Sequence, residues 1–189
     1  MHWDHAVIFA GGKSSRMGKD KALLPFGGYA TLAEYQFRRL TPWFTRVSLS
    51  AKEDKFPFEA PIITDRYPVS SPIVALGSVL EAITSEKVFV LSVDMPKVDA
   101  ELITRLYEAF TTSSEAQIAV ARSPQGTEPL CAIYHRDLLP DIQTMIHHGN
   151  HRMHDLLKQS QTVEVRCDRD HLFVNLNTPE EYHLHYKGR

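Results

Sequence analysis

Short apolar runs alternate with segments of helical spacing along the chain, the pattern of a parallel α/β sheet covered by helices. Ala6–Ala10 predicts a first buried strand, and Arg46–Ala51 and Pro61–Thr64 predict two more. Between them, Thr31–Leu40 sets Leu32, Tyr35, Phe37 and Leu40 on a partly apolar helix face. Ile73–Ile83 is helical by the same spacing. Lys87–Val93 is the most strongly β-like run and ends at Asp94-Met-Pro96. Asp99–Phe110 carries Leu102, Ile103, Leu106, Tyr107 and Phe110 at helical intervals, with Asp99 as the N-cap. Ala116–Arg122 and Leu130–His135 predict late strands, separated by a Pro/Gly turn over Ser123–Gly126. Asp137–His148 and His154–Gln159 read as helices around Gly149-Asn150, and Thr162–Arg166 as a last strand. Thr178-Pro-Glu-Glu181 then combines an N-cap, a proline at the first helical position and a capping-box glutamate. The expected fold is α/β with three layers, a mostly parallel central sheet and helices on both faces. No repeat, low-complexity stretch or linker interrupts it, which predicts one domain over residues 1–189.

Composition narrows the function classes. With 189 residues and 43% hydrophobic content the chain can bury a proper core. Its 21 basic and 23 acidic residues give a formal charge of −2, which argues against a nucleic-acid or membrane-surface protein. The two cysteines, Cys131 and Cys167, are far apart in sequence and form no CxxC; two reduced thiols are the expectation, with a single long-range disulfide as the alternative. The start, Met-His-Trp-Asp-His, lacks the basic and apolar regions of a signal peptide, and no apolar run reaches membrane-spanning length. The expected location is cytoplasmic.

Positive charge is concentrated in one place. The first strand empties into Ala10-Gly-Gly-Lys-Ser-Ser-Arg-Met-Gly-Lys-Asp-Lys21, where Lys13, Arg16, Lys19 and Lys21 are opposed only by Asp20. Cations so crowded repel one another unless an anion binds, and small residues let backbone N–H groups approach it, so the loop reads as a polyphosphate cradle. It is not a Walker A motif: Gly12 and Gly18 are one residue too far apart, and Lys19 precedes Asp20 where Ser or Thr is required. Nor is it GxGxxG, since Gly11 and Gly12 are adjacent.

Two aspartates follow strands at the carboxyl edge, where open parallel sheets bind ligands. Asp94 is placed to hold a divalent metal against phosphate oxygens, or else to cap the helix beginning near Asp99. Asp65 opens a turn with Pro68 and Pro72 and reads equally as a turn residue or a ligand. Asn175 and Asn177, two apart in extended chain, point the same way and can present two amides to a ligand. His147, His148, His151 and His154 invite a zinc reading, but Gly149-Asn150 breaks the helix and no cysteine or carboxylate completes a site; a solvated surface is the expectation.

The stretch Phe9–Leu24, with Ile63-Thr-Asp65, Val93-Asp-Met-Pro96, Glu128-Pro-Leu130 and Asn175-Leu-Asn-Thr-Pro-Glu-Glu181, resembles the molybdenum cofactor guanylyltransferases in order and spacing, over nearly the whole chain. The resemblance implies a Rossmann-like nucleotidyltransferase fold and transfer of GMP from GTP to molybdenum-molybdopterin, with release of pyrophosphate and Mg²⁺ as cofactor. By the same resemblance Ala10, Gly11 and Gly12 lie against guanine and ribose, and Arg16 and Lys21 act on the phosphates. Asp65 contacts the nucleotide, Asp94 binds the metal, and Arg152, Asn175 and Asn177 serve the acceptor. Molybdoenzyme maturation proteins are implied as further partners. Ser50 replaces a base-contacting asparagine of the family, and its Gly-Pro-Leu-x-Gly turn stands here as Ser71-Pro-Ile-Val-Ala75, with a Cβ at Ala75 where hydrogen is expected. Ala10-Gly-Gly resembles the guanine-type loop, while cytidine-using relatives prefer Ala-Ala-Gly. The competing expectations are a cytidylyltransferase for the same pterin, a sugar-phosphate nucleotidyltransferase, and a catalytically silent nucleotide-binding chaperone or sensor for molybdoenzymes.

Overall fold

The computed structural model describes residues 2–11, 20–67, 69–176 and 178–185. Its centre is a seven-stranded sheet in the order β3-β2-β1-β4-β6-β5-β7. The strands are β1 (Trp3–Phe9), β2 (Phe44–Ala51), β3 (Ile62–Thr64), β4 (Lys87–Ser92), β5 (Ile118–Ser123), β6 (Gly126–His135) and β7 (Thr162–Arg166). All pairs are parallel except those of β6, which runs against both β4 and β5. The helices are α1 (Leu32–Leu40), α2 (Pro72–Ala82), α3 (Ala100–Thr112), α4 (Leu139–His147), α5 (Met153–Gln159) and α6 (Pro179–His185).

The alternation of side chains along the strands feeds two cores, one on each face of the sheet. Ala6, Ile8, Leu49, Phe89, Leu91 and Ile133 pack with α1 and α3. Val7, Phe9, Val88, Val90, Ala132 and Tyr134 face α2, α4 and α5. Strand boundaries follow the apolar runs to within a few residues. The largest departure is β6, expected from Leu130 and found from Gly126. Its first half continues past a register shift between Val120 and Ala121, where Pro129 is accommodated.

Helix starts follow their caps. Asp99 accepts from the Leu102 N–H at 2.9 Å, and Ser71 from Val74 N–H at 3.3 Å with Pro72 beside it. Thr178 and Glu181 exchange the two reciprocal bonds of a capping box, at 2.9 and 3.2 Å. The expected helix from Asp137 instead begins with a 3-10 turn over Arg136–Leu138, and α4 starts at Leu139. Pro140 sits in its first turn, where a missing N–H costs no bond. Cys131 and Cys167 are buried and unbridged. No helix among the described residues is long and apolar enough to cross a membrane.

His5 on β1 is a buried polar group in this frame. Its Nε2 shares a hydrogen bond with Ser48 Oγ at 3.0 Å, and its Nδ1 is buried without a partner. Burial and then the Arg46 charge lower its pKa from the ordinary 6.5, against a smaller opposite pull from Asp4. The unfolded chain therefore takes up this proton before the native state does, so the stability is complete above about 6.5 and is lost as pH falls below it. Thermal unfolding should shift to lower temperature between pH 7.5 and 5.5, about one unit either side of that value, and His5→Gln should flatten the dependence. An unchanged slope in the variant would assign the effect to other groups.

Candidate active site

The chain brings four strand exits to one rim. β1 gives way to Ala10 and Gly11, β2 to Lys52, β3 to Asp65 and β4, through Val93, to Asp94. Backbone bonds lock these exits together: Ala10 N–H to Ser50 O at 2.9 Å, Val93 N–H to Phe9 O at 3.0 Å, and Asp65 N–H to Ala51 O at 3.3 Å. Between them lies a cavity of about 470 Å³, the size of a small-molecule site. Gly11, Ser50 and Lys52 line one part of it, and Asp65 another. Ser71, Pro72 and Ala75 from the start of α2 also line it, as do Phe9, Leu130 and Ser92. The positive end of the α2 dipole therefore faces this space.

Asp65 is the conspicuous charge there. Its Oδ1 is buried with no hydrogen-bond partner among the described residues. Burial raises its pKa, while the Lys52 charge pulls the other way. A buried acceptor left unsatisfied is poised for a donor from outside the protein.

Asp94 adjoins the cavity through Ser92. The Ser92 hydroxyl donates to Asp94 Oδ1 at 2.6 Å, and Lys21 Nζ donates to Oδ2 at 2.6 Å. Both partners of this ion pair keep about a sixth of their side-chain surface open, 17% for Lys21 and 15% for Asp94. Asp94 is thus not the α3 cap; that position belongs to Asp99. Lys21 stands in a 3-10 turn (Lys21–Leu23) capped by Asp20, whose Oδ1 accepts from Ala22 N–H at 3.0 Å. The other oxygen of Asp20 pairs with Lys55, and Lys55 also donates to Ala10 O at 3.3 Å. One lysine so clasps both ends of the glycine-rich loop, and Asp20 is neutralised from outside it.

Among the described residues, no cluster of three or more His, Cys, Asp or Glu side chains can hold a metal. A single exposed-edge carboxylate with a neighbouring hydroxyl is the donor set of a site shared with substrate phosphates, not of a protein cage. That is the usual manner of binding Mg²⁺. Asp94 fits this role.

The anticipated acceptor segment also reaches the rim. Leu176 N–H donates to Asp94 O at 3.1 Å, and Tyr182 of α6 donates to Pro25 O, so the chain is tied down directly after half-buried Asn175 and again in the helix that follows. Arg152 is exposed at the N-cap of α5 and does not line the cavity. Its neighbour His151 does reach the cavity edge, its Nδ1 lying 3.1 Å from Ser71 Oγ.

Residues 6–165 match the MobA-like NTP transferase domain family. Over 180 residues the chain is 35% identical to the molybdenum cofactor guanylyltransferase of Campylobacter jejuni subsp. doylei, covering 94% of this chain and 93% of that protein. The chain belongs to the molybdenum cofactor guanylyltransferase family. It is also 29% identical to the Helicobacter pylori (strain 26695) molybdenum cofactor guanylyltransferase over 184 residues, 94% of this chain and 89% of that one. The fold is that of molybdopterin-guanine dinucleotide biosynthesis protein A from Archaeoglobus fulgidus, with a TM-score of 0.83, 20% identity and 97% of each chain covered.

Within this guanylyltransferase-family fold, Gly11, Ser50 and Asp65 line one cavity, and Lys21 and Asp94 meet beside it. Ala10 contributes backbone only: its side chain is buried in the core, and its N–H and C=O are held by Ser50 and Lys55. A Cβ at Gly11 would sit in ordinary contact, 3.5 Å from Ala51 Cα, so the fold itself does not demand glycine there. Gly12, Arg16 and Asn177 lie outside the described residues. Lys52 and Lys55 are not among the residues expected at the site, and His151 is expected on a solvated surface. Lys52 was findable, since it stands directly after a strand at the ligand-binding edge. Lys55 and His151 act across long sequence separations that no local pattern reveals.

Proposed function

We propose that this guanylyltransferase transfers GMP from GTP to the terminal phosphate of molybdenum-molybdopterin, using the rim at Lys21 and Asp94. The observation carrying this reading is the Lys21–Asp94 pair at 2.6 Å beside the Ser50–Asp65 cavity, in a chain 35% identical to a molybdenum cofactor guanylyltransferase. The cavity takes the nucleoside. The unpartnered Asp65 oxygen accepts from its hydroxyl or N–H groups, and Gly11 and Ser50 flank it. The start of α2 and Lys52 supply positive potential toward the phosphates.

In the reaction an oxygen of the acceptor's terminal phosphate attacks the α-phosphorus in line, the bond to the β-phosphate oxygen breaks, and pyrophosphate leaves with that electron pair. The attacking phosphate is already ionised near neutrality, so no protein base is needed. The obstacle is anion–anion repulsion and the charge that builds around phosphorus. Lys21 answers it by exchanging its carboxylate partner for phosphate oxygens. Arg16 is assigned the same task. Asp94 would hold Mg²⁺, which when bound supplies charge neutralisation and orients the phosphates. Arg152, Asn175 and Asn177 are assigned to the acceptor: Asn175 by its place beside Leu176, which bonds to Asp94, and Arg152 as an exposed cation next in sequence to His151, which bonds to Ser71.

Pyrophosphate release measured with GTP, CTP, UTP or ATP, against molybdenum-molybdopterin or sugar phosphates, tests the assignment. GTP with the pterin should be preferred by at least about tenfold in kcat/KM, a difference of about 1.4 kcal/mol. Preference for CTP would transfer the base assignment to cytidine, and nucleotide binding without turnover on any acceptor would make the protein a binding module.

A further inference from the structure

The inner face of α1 is apolar at Leu32, Ala33 and Leu40, yet it carries Gln36, which is 0% exposed. A buried amide is costly unless every polar group is matched. Here each is. Gln36 Nε2 donates to Ser92 O at 3.4 Å and to Val93 O at 3.1 Å. Its Oε1 accepts from Arg39 Nε at 3.1 Å and from Arg39 Nη2 at 2.5 Å. Arg39 Nη1 donates to Val98 O, and its guanidinium lies near the rings of Tyr35 and Trp43, at 6.0 and 5.7 Å from their centroids. A leucine there would bury apolar surface but supply no donor to the Ser92 and Val93 carbonyls.

The two side chains hold the two ends of one segment. Gln36 grips the beginning of the β4–α3 connection at Ser92 and Val93, and Arg39 its end at Val98. The segment between them bears Asp94. Ser92 is the common member: its carbonyl receives Gln36, and its hydroxyl fixes Asp94 Oδ1. From the other side Leu176 N–H donates to Asp94 O at 3.1 Å.

We infer that Gln36 and Arg39 are positioning residues for the reaction, stapling the Ser92–Val98 segment to α1 so that the Asp94 carboxylate is held where it meets Lys21 and the metal-bound triphosphate. The inference rests on the reaction assigned above. Neither residue touches substrate; both act through the backbone that carries Asp94.

The test uses the full-length protein and two readouts: steady-state kinetics of GMP transfer, and Mn²⁺ binding to the enzyme with GTP and no acceptor, followed by water-proton relaxation. Partners behind a metal ligand typically matter by about 10- to 100-fold. Gln36→Leu should lower kcat and weaken Mn²⁺ binding by about that factor, with KM for GTP within about threefold, because the cavity residues keep their own supports. Arg39→Met should behave alike, and Arg39→Lys, which keeps one donor, should recover part of both. A purely structural role would lower Tm and leave kcat and Mn²⁺ affinity of the folded enzyme unchanged in all three variants, and that result overturns the inference. Should Gln36→Leu fail to fold, Arg39→Lys carries the same two readouts. A wild-type protein that transfers no GMP would instead refute the assigned reaction, while the Mn²⁺ measurement would still decide the place of Gln36.

Discussion

Asp94→Ala should reduce guanylyl transfer by about a thousandfold, or about 4 kcal/mol, while the protein stays folded. The rate effect is large because the carboxylate is the one acidic side chain assigned to hold a divalent cation on the triphosphate, and that positive charge counters the charge that develops at phosphorus. The stability effect is small for a different reason. Asp94 and Lys21 both keep contact with solvent, so water reaches the partner left behind and no fully enclosed charge is stranded. Circular dichroism and a melting curve close to wild type, with turnover gone, are the expected pair of results. A variant that keeps most of its Mg²⁺-supported activity would remove Asp94 from the chemistry.

Lys21→Ala is expected to lower kcat/KM for GTP by about a hundredfold, or about 2.7 kcal/mol, through both kcat and KM. The ammonium attracts the triphosphate in the ground state and matters more as charge grows, so neither parameter should carry the whole loss. Lys21→Arg should recover only part, since a planar fork does not replace a compact point charge. Because Lys21 and Asp94 touch, their effects are expected to be non-additive, the double variant losing less than the product of the two single losses. Kinetics unchanged in Lys21→Ala would mean that the loop preceding it serves something other than the phosphates.

Much of this arrangement was legible in the chain, because local rules govern it. The apolar run before Ala10, the Asp99 cap and the Thr178–Glu181 capping box depend on residues within a few positions, and each is found as read. The convergence of Gly11, Ser50 and Asp65 also followed from a general property, since ligands gather at the carboxyl edge of parallel strands. What escaped was long-range or concealed by residue type. Gln36 reads as an ordinary polar position on an amphipathic helix, and only burial reveals that it faces inward. Lys55 lies 35 residues from Asp20, its partner. His151 was grouped with three other histidines as solvated surface, although it alone of the four bonds to a cavity residue, Ser71. The short Pro/Gly turn over Ser123–Gly126 already requires β6 to run against β5, but that β6 would also pair with β4 is a long-range fact that no local pattern carries.

The reversed strand has a consequence for how this enzyme can diversify. Cys131 pairs with Leu91, so Leu130 lies level with Ser92 at the end of β4 and enters the cavity wall there, while residues 126–129, the opening stretch of β6, project beyond it. Every other strand near the cavity delivers its working groups where it finishes; this one delivers them where it begins, beside the hairpin tip at Ser123–Gly126. A tip of that kind can be lengthened or rewritten without moving β1, β2 or the glycine-rich turn. New cargo specificities would therefore be expected to arise by remodelling that hairpin, leaving the machinery that activates the donor as it stands.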